Sequence, residues 1–336
     1  MKDDRILLAH GSGGAVSHSL ISDFFLKVFT DPTLKRLDDS AVLELGSDRV
    51  AFTTDSYVVK PLFFPGGDIG RLAVCGTVND LAMSGAEPKF ISVGFVIEEG
   101  LEVSELEKIL KSMAEACEEA GVPVVTGDTK VVDRGSADQI FINTAGVGYI
   151  KDDIDISGSN VKDGDAILLS GSIGDHGIAV MSKREGLAFG TPVISDCAPL
   201  NGMVKAVLDS GAEVHALRDP TRGGLASTLN EFAEQSGVAI TIDESKVPIS
   251  EGVLGACEML GLDPYQVANE GKLVAAVAGK DADRALEAIR ANKYGKDAQI
   301  IGTAKQTDRP KVFVSTAIGT TRILDMLSGE QLPRIC

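Results

Sequence analysis

A chain of 336 residues is longer than one hydrophobic core usually fills, so two domains are the default. Its apolar share of 44% and charged share of 24% fit a globular protein, and no apolar run is long enough to suggest a membrane span. The net charge of −17 argues against a nucleic-acid partner, which needs a basic face, yet it leaves room for a polyanion bridged by metal ions.

Residues 1–8 are charged and lack the apolar stretch of a signal peptide. Residues 10–14, His-Gly-Ser-Gly-Gly, form a glycine-rich loop, after which Val16, Leu20, Ile21, Phe24, Phe25, Val28 and Phe29 recur at helical spacing. Residues 50–59 read as a strand bent at Thr53-Thr54-Asp55, residues 69–85 as a helix, and the alternating, β-branched residues 89–97 as a strand. Residues 103–120 are an amphipathic helix with Gly121 where a C-cap glycine belongs, and 122–126 and 139–149 are further strands. Composition turns to Asp, Gly, Ser and Asn over residues 150–165, which divides the chain into 1–152 and 153–326. Beyond it, residues 166–170, 238–242, 273–278 and 311–315 read as strands, and 223–235 and 281–291 as helices. Gly329 and Pro333 discourage regular structure in residues 327–336, which are expected to be a mobile tail.

Cys75, Cys117, Cys197, Cys257 and Cys336 are odd in number and widely spaced, with no CxxC pair to suggest zinc or redox work. The internal ones lie in apolar or helical stretches and read as buried free thiols, a reduced and cytoplasmic pattern. Cys336 is the last residue, so it is no prenylation box. A terminal thiol on a flexible arm can enter a pocket or be handed to another protein, or it is an incidental surface cysteine.

The loop Gly11-Ser12-Gly13-Gly14 has backbone N–H groups ahead of a helix, as phosphate cradles do, but it matches neither Walker A nor GxGxxG. By itself it is equally a plain turn. Acidic residues recur at turn-like positions: Asp38 and Asp39, Asp55, Asp80, Asp128 and Asp219. Each alone reads as an Asx-turn or helix cap, whereas together they suit Mg²⁺ bridging to nucleotide phosphates. Lys130 shares a strand face with Asp128, and Glu270 sits in a polar break before a strand. A cation and a carboxylate of this kind can stabilise charge and act as a base, although spacing does not single them out.

The ordered segments HGSGG, DDSAV, TTDSYVV, PLFFPGGDIG, GTVNDLAMSGA, GDTKVV, INTAGVG, SGSIGDHG, RDPTRGG, ANEGKL and a closing PRIC resemble one family over essentially the whole chain. TTD, NDxxxxGA and DxTxGG are similar to marks of the PurM-like superfamily, and the full set with its terminal cysteine resembles the HypE family of carbamoyl dehydratases. The resemblance implies an α/β (α+β) PurM-like fold with an N-terminal domain that pairs in a homodimer and a C-terminal α/β sandwich. It also implies an ATP- and Mg²⁺-dependent enzyme of nickel–iron hydrogenase maturation. A HypF-type carbamoyltransferase would load Cys336, the resulting thiocarboxamide would be dehydrated to a thiocyanate, and the cyano group would pass to iron on a HypC–HypD complex.

Carried over by motif, Asp39, Asp55, Asp80 and Asp219 resemble the superfamily's metal–phosphate aspartates, with Asp39, Asp80 and Asp219 as metal ligands and Asp38 the alternative to Asp39. Asn79 and Asp128 are expected in the same shell, the Gly11–Gly14 loop over ATP, and Lys130 and Glu270 at the tail thiol. A selenophosphate synthetase would carry Cys or selenocysteine in the N-terminal glycine-rich segment, which here has no thiol. A small-molecule kinase has no use for the cysteine tail, and a carrier that merely presents Cys336 needs no ATP turnover.

Overall fold

The structure, a computed structural model, describes residues 14–28, 32–46, 48–186, 192–327 and 335–336. The first half begins with α1 (Ala15–Leu20), which passes through a π-helical turn at Ile21–Phe25 into α2 (Leu26–Val28). It continues with β1 (Ala41–Leu45), β2 (Asp48–Tyr57), β3 (Phe63–Phe64), β4 (Gly67–Asp68), α3 (Ile69–Met83), β5 (Glu87–Glu98), α4 (Val103–Ala120), β6 (Val124–Val132) and β7 (Ile140–Ile150). The second half runs β8 (Ala166–Leu169), α5 (Asp175–Glu185), α6 (Asn201–Asp209), β9 (Val214–Arg218), α7 (Gly224–Ser236), β10 (Val238–Asp243) and α8 (Glu251–Leu260). It ends with β11 (Val274–Val277), α9 (Ala282–Ala291), β12 (Gln299–Gln306), β13 (Val312–Ser315) and β14 (Thr321–Ile323).

Alternate side chains of β7 turn inward along its whole length, and this strand is the centre of a five-stranded sheet ordered β1-β2-β7-β5-β6. Only β5 and β6 pair in parallel there. The inner face packs on α3, which α4 covers in turn. The Asp68 carboxylate caps α3 by accepting the Gly70 and Arg71 N–H groups at 2.7 and 3.2 Å. Gly121, at φ 70°, ends α4 in the left-handed conformation that favours glycine. The other sheet face is open: Phe52, Val147 and Phe90 align across β2, β7 and β5 and are exposed.

The second sheet has seven strands ordered β14-β13-β10-β12-β8-β11-β9, with β10 and β13 parallel. The compositional change at residues 150–165 falls between the two sheets. Almost every side chain of α3 is buried, because the helix touches the first sheet, α4, and also α6 and β9 of the second half.

The strand expected at 122–126 runs on to Val132 as β6, whose residues are largely exposed at the sheet edge. The strand β12, unread in the sequence, contains Gly302, which looks like a breaker. A Cβ there would come within 2.2 Å of the Thr241 carbonyl oxygen, so this glycine permits a close strand approach. Of the expected mobile tail, residues 328–334 lie outside the described residues, whereas Ile335 and Cys336 are docked in the core, 3% and 9% exposed.

Candidate functional site around the terminal thiol

Among the described residues three polar contacts hold the chain end. The Val58 N–H, just past β2, donates to the Cys336 carbonyl at 3.3 Å. The His176 imidazole meets the Ile335 carbonyl at 2.6 Å. The Arg222 guanidinium meets the Cys336 sulfur through Nη2 at 2.8 Å and Nε at 3.1 Å. Arg222 is presented by the turn between β9 and α7. Gly223 and Gly224 follow it at φ 86° and 62°, and a Cβ on Gly224 would press on the Tyr265 and Val267 carbonyls at 2.6 and 2.7 Å, so this turn requires glycine. Burial pushes the Cys336 thiol up to about 11, against the pull of Arg222.

Glu270, 2% exposed, lies in the loop before β11. Its backbone is held by the Asp196 carboxylate at 3.1 Å and by the Ala198 N–H at 3.3 Å, while its side-chain Oε1 is buried with no hydrogen-bond partner among the described residues. Burial, then Asp219, Asp196 and Asp55, raise this carboxyl well above the ordinary range, and Arg222 opposes them. Both Glu270 and Asp55 act electrostatically on the Cys336 thiol.

The aspartates of the motifs converge from both halves. Asp80 on α3 accepts the Thr53 hydroxyl at 2.9 Å, and Asp39, ahead of β1, accepts Arg218 Nε at 2.8 Å. Asp219, just after β9, is buried, and its Oδ2 has no partner among the described residues. Burial first and mutual repulsion next raise Asp80 and Asp219 well above the usual carboxylate range, and burial moves Asp39 up to about 6 despite Arg218. Asp55 is exposed at the edge of this cluster. Asp38 turns instead to Arg36 Nε at 2.9 Å and the Ser157 hydroxyl at 3.1 Å, so Asp39 is the member of the pair that joins the cluster.

Other expected residues stand elsewhere. Asn79 is fully buried and its amide is spent on the second half: Oδ1 accepts the Leu200 N–H at 2.8 Å and Nδ2 donates to Ala198 O at 3.1 Å. It pins α3 to that half. Lys130 and Asp128 project from β6 with side chains 68% and 71% exposed and pair with each other at 2.6 Å. Among the described residues Lys130 has no ion pair with Glu270, so a single chain does not bring the expected acid–base couple together. Gly11, Ser12 and Gly13 lie outside the described residues, and Gly14 precedes α1, whose Ala15 N–H donates to Leu327 O at 3.0 Å.

Among the described residues no three His, Cys, Asp or Glu side chains are placed to hold a metal ion unaided. Asp39, Asp80 and Asp219 therefore do not form a ready-made cage, and Arg218 explains why for Asp39. What the cluster offers is buried carboxylates in mutual repulsion with an orphaned oxygen, which a cation shared with phosphate oxygens would relieve. Sequence reasoning passed over Arg222 and His176, although RDPTRGG and SGSIGDHG contain them.

The family models agree with this architecture. That for the N-terminal domain of AIR synthase related proteins matches residues 37–150, and that for their C-terminal domain residues 162–315. Fold and site thus define an AIR synthase related, PurM-like protein. The carbamoyl dehydratase HypE of Rhizobium leguminosarum bv. viciae is 53% identical over 333 residues, spanning 99% of this chain and 95% of the relative. That of Escherichia coli (strain K12) is 46% identical over 338 residues, spanning 99% and 100%. A chain of a solved HypE-HypF complex is 51% identical with a TM-score of 0.88, covering 92% of this chain and 100% of its own. HypE solved in complex with ATP is 50% identical with a TM-score of 0.84, covering 99% and 100%. The chain belongs to the carbamoyl dehydratase HypE family.

Proposed function

We propose that the chain carries out the ATP-dependent dehydration of a carbamoyl group on its own Cys336 thiol, supplying the cyanide ligand of the nickel–iron hydrogenase active site. The observation that carries this reading is the docked terminal sulfur, gripped by Arg222 and acted on by Glu270, whose buried Oε1 has no hydrogen-bond partner among the described residues. Atoms balance without oxidation or reduction. The thiocarboxamide oxygen leaves with the γ-phosphoryl group as phosphate, and the nitrogen gives up its two protons as the C≡N bond completes. A neutral amide oxygen is a poor leaving group, which is why ATP is consumed. Glu270 is the base for the nitrogen, and Arg222 steadies charge around the sulfur.

Residues 1–152 are the proposed nucleotide-binding and dimerisation unit, 153–326 the second domain, and 327–336 the arm bearing the thiol. The ATP phosphates would face Asp55, Asp80 and Asp219, with Asp39 behind them and Gly11–Gly14 above. Asp80 and Asp219 would hold Mg²⁺, which takes one or two carboxylates plus phosphate oxygens and supplies charge neutralisation there. The open apolar face with Phe52, Val147 and Phe90, together with the exposed edge β6, supports a homodimer. Within that dimer Lys130 is proposed to serve the neighbouring subunit's site. A HypF-type carbamoyltransferase would load the thiol and a HypC–HypD complex would take the cyano group. Five free cysteines favour a reducing cytoplasm.

The deciding experiment incubates the protein with carbamoyl phosphate, the transferase and ATP, then measures intact mass and the infrared nitrile stretch. The expected result is a carbamoyl mass on Cys336 that converts to a nitrile only with ATP. An adduct on another cysteine, or no nitrile band, would overturn the reading.

A further inference from the structure

We propose that His176 is a positioning residue: with Ser195 it latches the backbone of the terminal dipeptide and so keeps the Cys336 sulfur against Arg222. His176 lies in the first turn of α5 and is fully buried. Its Nε2 is 2.6 Å from the Ile335 carbonyl oxygen, which can only accept, so Nε2 carries the proton. Nδ1 must then accept in the neutral ring, and its partner is the Ser195 hydroxyl at 2.8 Å. That hydroxyl oxygen already accepts the Cys197 N–H at 3.2 Å, which leaves its hydrogen free for Nδ1. Burial lowers the His176 pKa, which favours this neutral tautomer. Phe64 packs edge-on against the ring at 5.3 Å and 89°, and the Ser195 N–H is tied to Pro65 O at 2.8 Å. Every degree of freedom of the imidazole is therefore taken up, and its single outward group is the N–H given to the tail.

Among the described residues the other backbone contact of this dipeptide, from Val58 N–H to the Cys336 backbone oxygen, is longer at 3.3 Å. A docked thiol only 9% exposed is also out of reach of a transferase. Loading requires the terminal dipeptide to leave this seat, and dehydration requires it to return. The His176–Ile335 bond exists only in the docked arm, so it sets the balance between those two states. This role rests on the proposed carbamoylation, but the balance itself is measurable without it.

The test compares the full-length protein with His176→Ala, His176→Gln and Ser195→Ala. The alkylation rate of each cysteine by iodoacetamide is read by peptide mass spectrometry, and nitrile formation is followed in a single turnover. A lost hydrogen bond of ordinary strength predicts Cys336 alkylation about three- to tenfold faster in His176→Ala. Cys75, Cys197 and Cys257 should stay unreactive, because unfolding would expose them and an opened latch would not. His176→Gln, which keeps a donor, should recover part of the protection, and Ser195→Ala should show a smaller increase than His176→Ala. Carbamoyl loading should be unchanged or faster while nitrile formation slows. Wild-type alkylation of Cys336 in both His176→Ala and Ser195→Ala overturns the latch. Should His176→Ala expose the internal cysteines, Ser195→Ala alone decides. Faster alkylation in a protein that never forms a nitrile would leave the latch standing and remove the dehydratase reading.

Discussion

Arg222 and Cys336, 114 residues apart in sequence, meet through two N–H groups on one edge of the guanidinium, Nη2 at 2.8 Å and Nε at 3.1 Å from the sulfur. The arrangement is not simple thiolate activation, because burial still leaves the thiol near 11. A fixed cation at this place acts on the loaded sulfur instead, whose environment must tolerate charge shifting through the S–C–N unit as phosphate departs. Arg222→Ala should lower single-turnover nitrile formation about ten- to a hundredfold, the range of a lost charge-assisted hydrogen bond. Arg222→Lys should recover little, since an ammonium cannot reproduce the two-pronged contact. Calorimetric ATP affinity should change far less than the rate, and a wild-type rate in Arg222→Ala would make the contact incidental.

Lys130 offers a test by complementation. Within one chain it is exposed and paired with Asp128, a surface contact worth little to stability, so Lys130→Ala should fold normally. If the chain forms the proposed homodimer, Lys130→Ala and Cys336→Ala proteins should each be inactive alone. Mixed dimers should regain activity, because the intact thiol of one subunit then meets the intact lysine of the other. No recovery, with subunit exchange shown by mass, would place the lysine in its own chain's site or outside the mechanism.

The acidic cluster trades stability for binding. Burial raises the folded pKa values of Asp39, Asp80 and Asp219 above the ordinary 3.8, that of Asp39 to about 6, and neighbouring carboxylates add to the shift. Between the unfolded and folded values the native chain holds more protons than the unfolded one. Their contribution is therefore most favourable at the acidic end of that window and is lost as pH rises through it. The nucleotide-free protein should lose melting temperature from this source as pH rises from about 4 through about 6, the window of Asp39, with Asp80 and Asp219 acting in the same direction. Asp80→Asn or Asp219→Asn should flatten that dependence and raise the melting temperature at pH 7 by a few degrees, while weakening ATP binding in calorimetry with Mg²⁺. A variant both less stable and normal in ATP binding would contradict this account.

Local signals made much of the fold readable. Residues 103–120 carry a helical stripe and end at Gly121, and the observed α4 is Val103–Ala120. Asp39 and Asp219, in the turns flanking β1 and β9, were legible too, whereas Asp55 lies within β2, Asp80 within α3 and Asp128 within β6 rather than in turns. What sequence could not decide was set by distant partners. Asp39 rather than Asp38 enters the cluster because Arg218 arrives from β9, 179 residues away. Asn79 looks like a ligand and is a clamp, since its partners Ala198 and Leu200 come from the other half. His176 gains its role only from the chain end, 159 residues on.

Glu270 carries the chemical step in the proposed reaction, and its environment makes a pH signature. Its carboxyl is buried, has an oxygen without a partner among the described residues, and is raised well above the ordinary 4.5 by burial and by Asp219, Asp196 and Asp55. A base must be ionised to take a proton from the thiocarboxamide nitrogen. Nitrile formation in the loaded protein should therefore increase with pH through that raised value and level off above it. Removing a positioned general base typically costs about 10²- to 10⁴-fold in rate. Glu270→Gln is nearly isosteric and should still accept the carbamoyl group and bind ATP, yet develop the infrared nitrile band that much more slowly and without the rising pH limb. Neutralising a buried acid also relieves Asp219 and Asp55, so the variant should be at least as stable as the parent at pH 7. A normal single-turnover rate in Glu270→Gln would remove Glu270 from the mechanism, and a selective loss of ATP affinity would reassign it to the nucleotide.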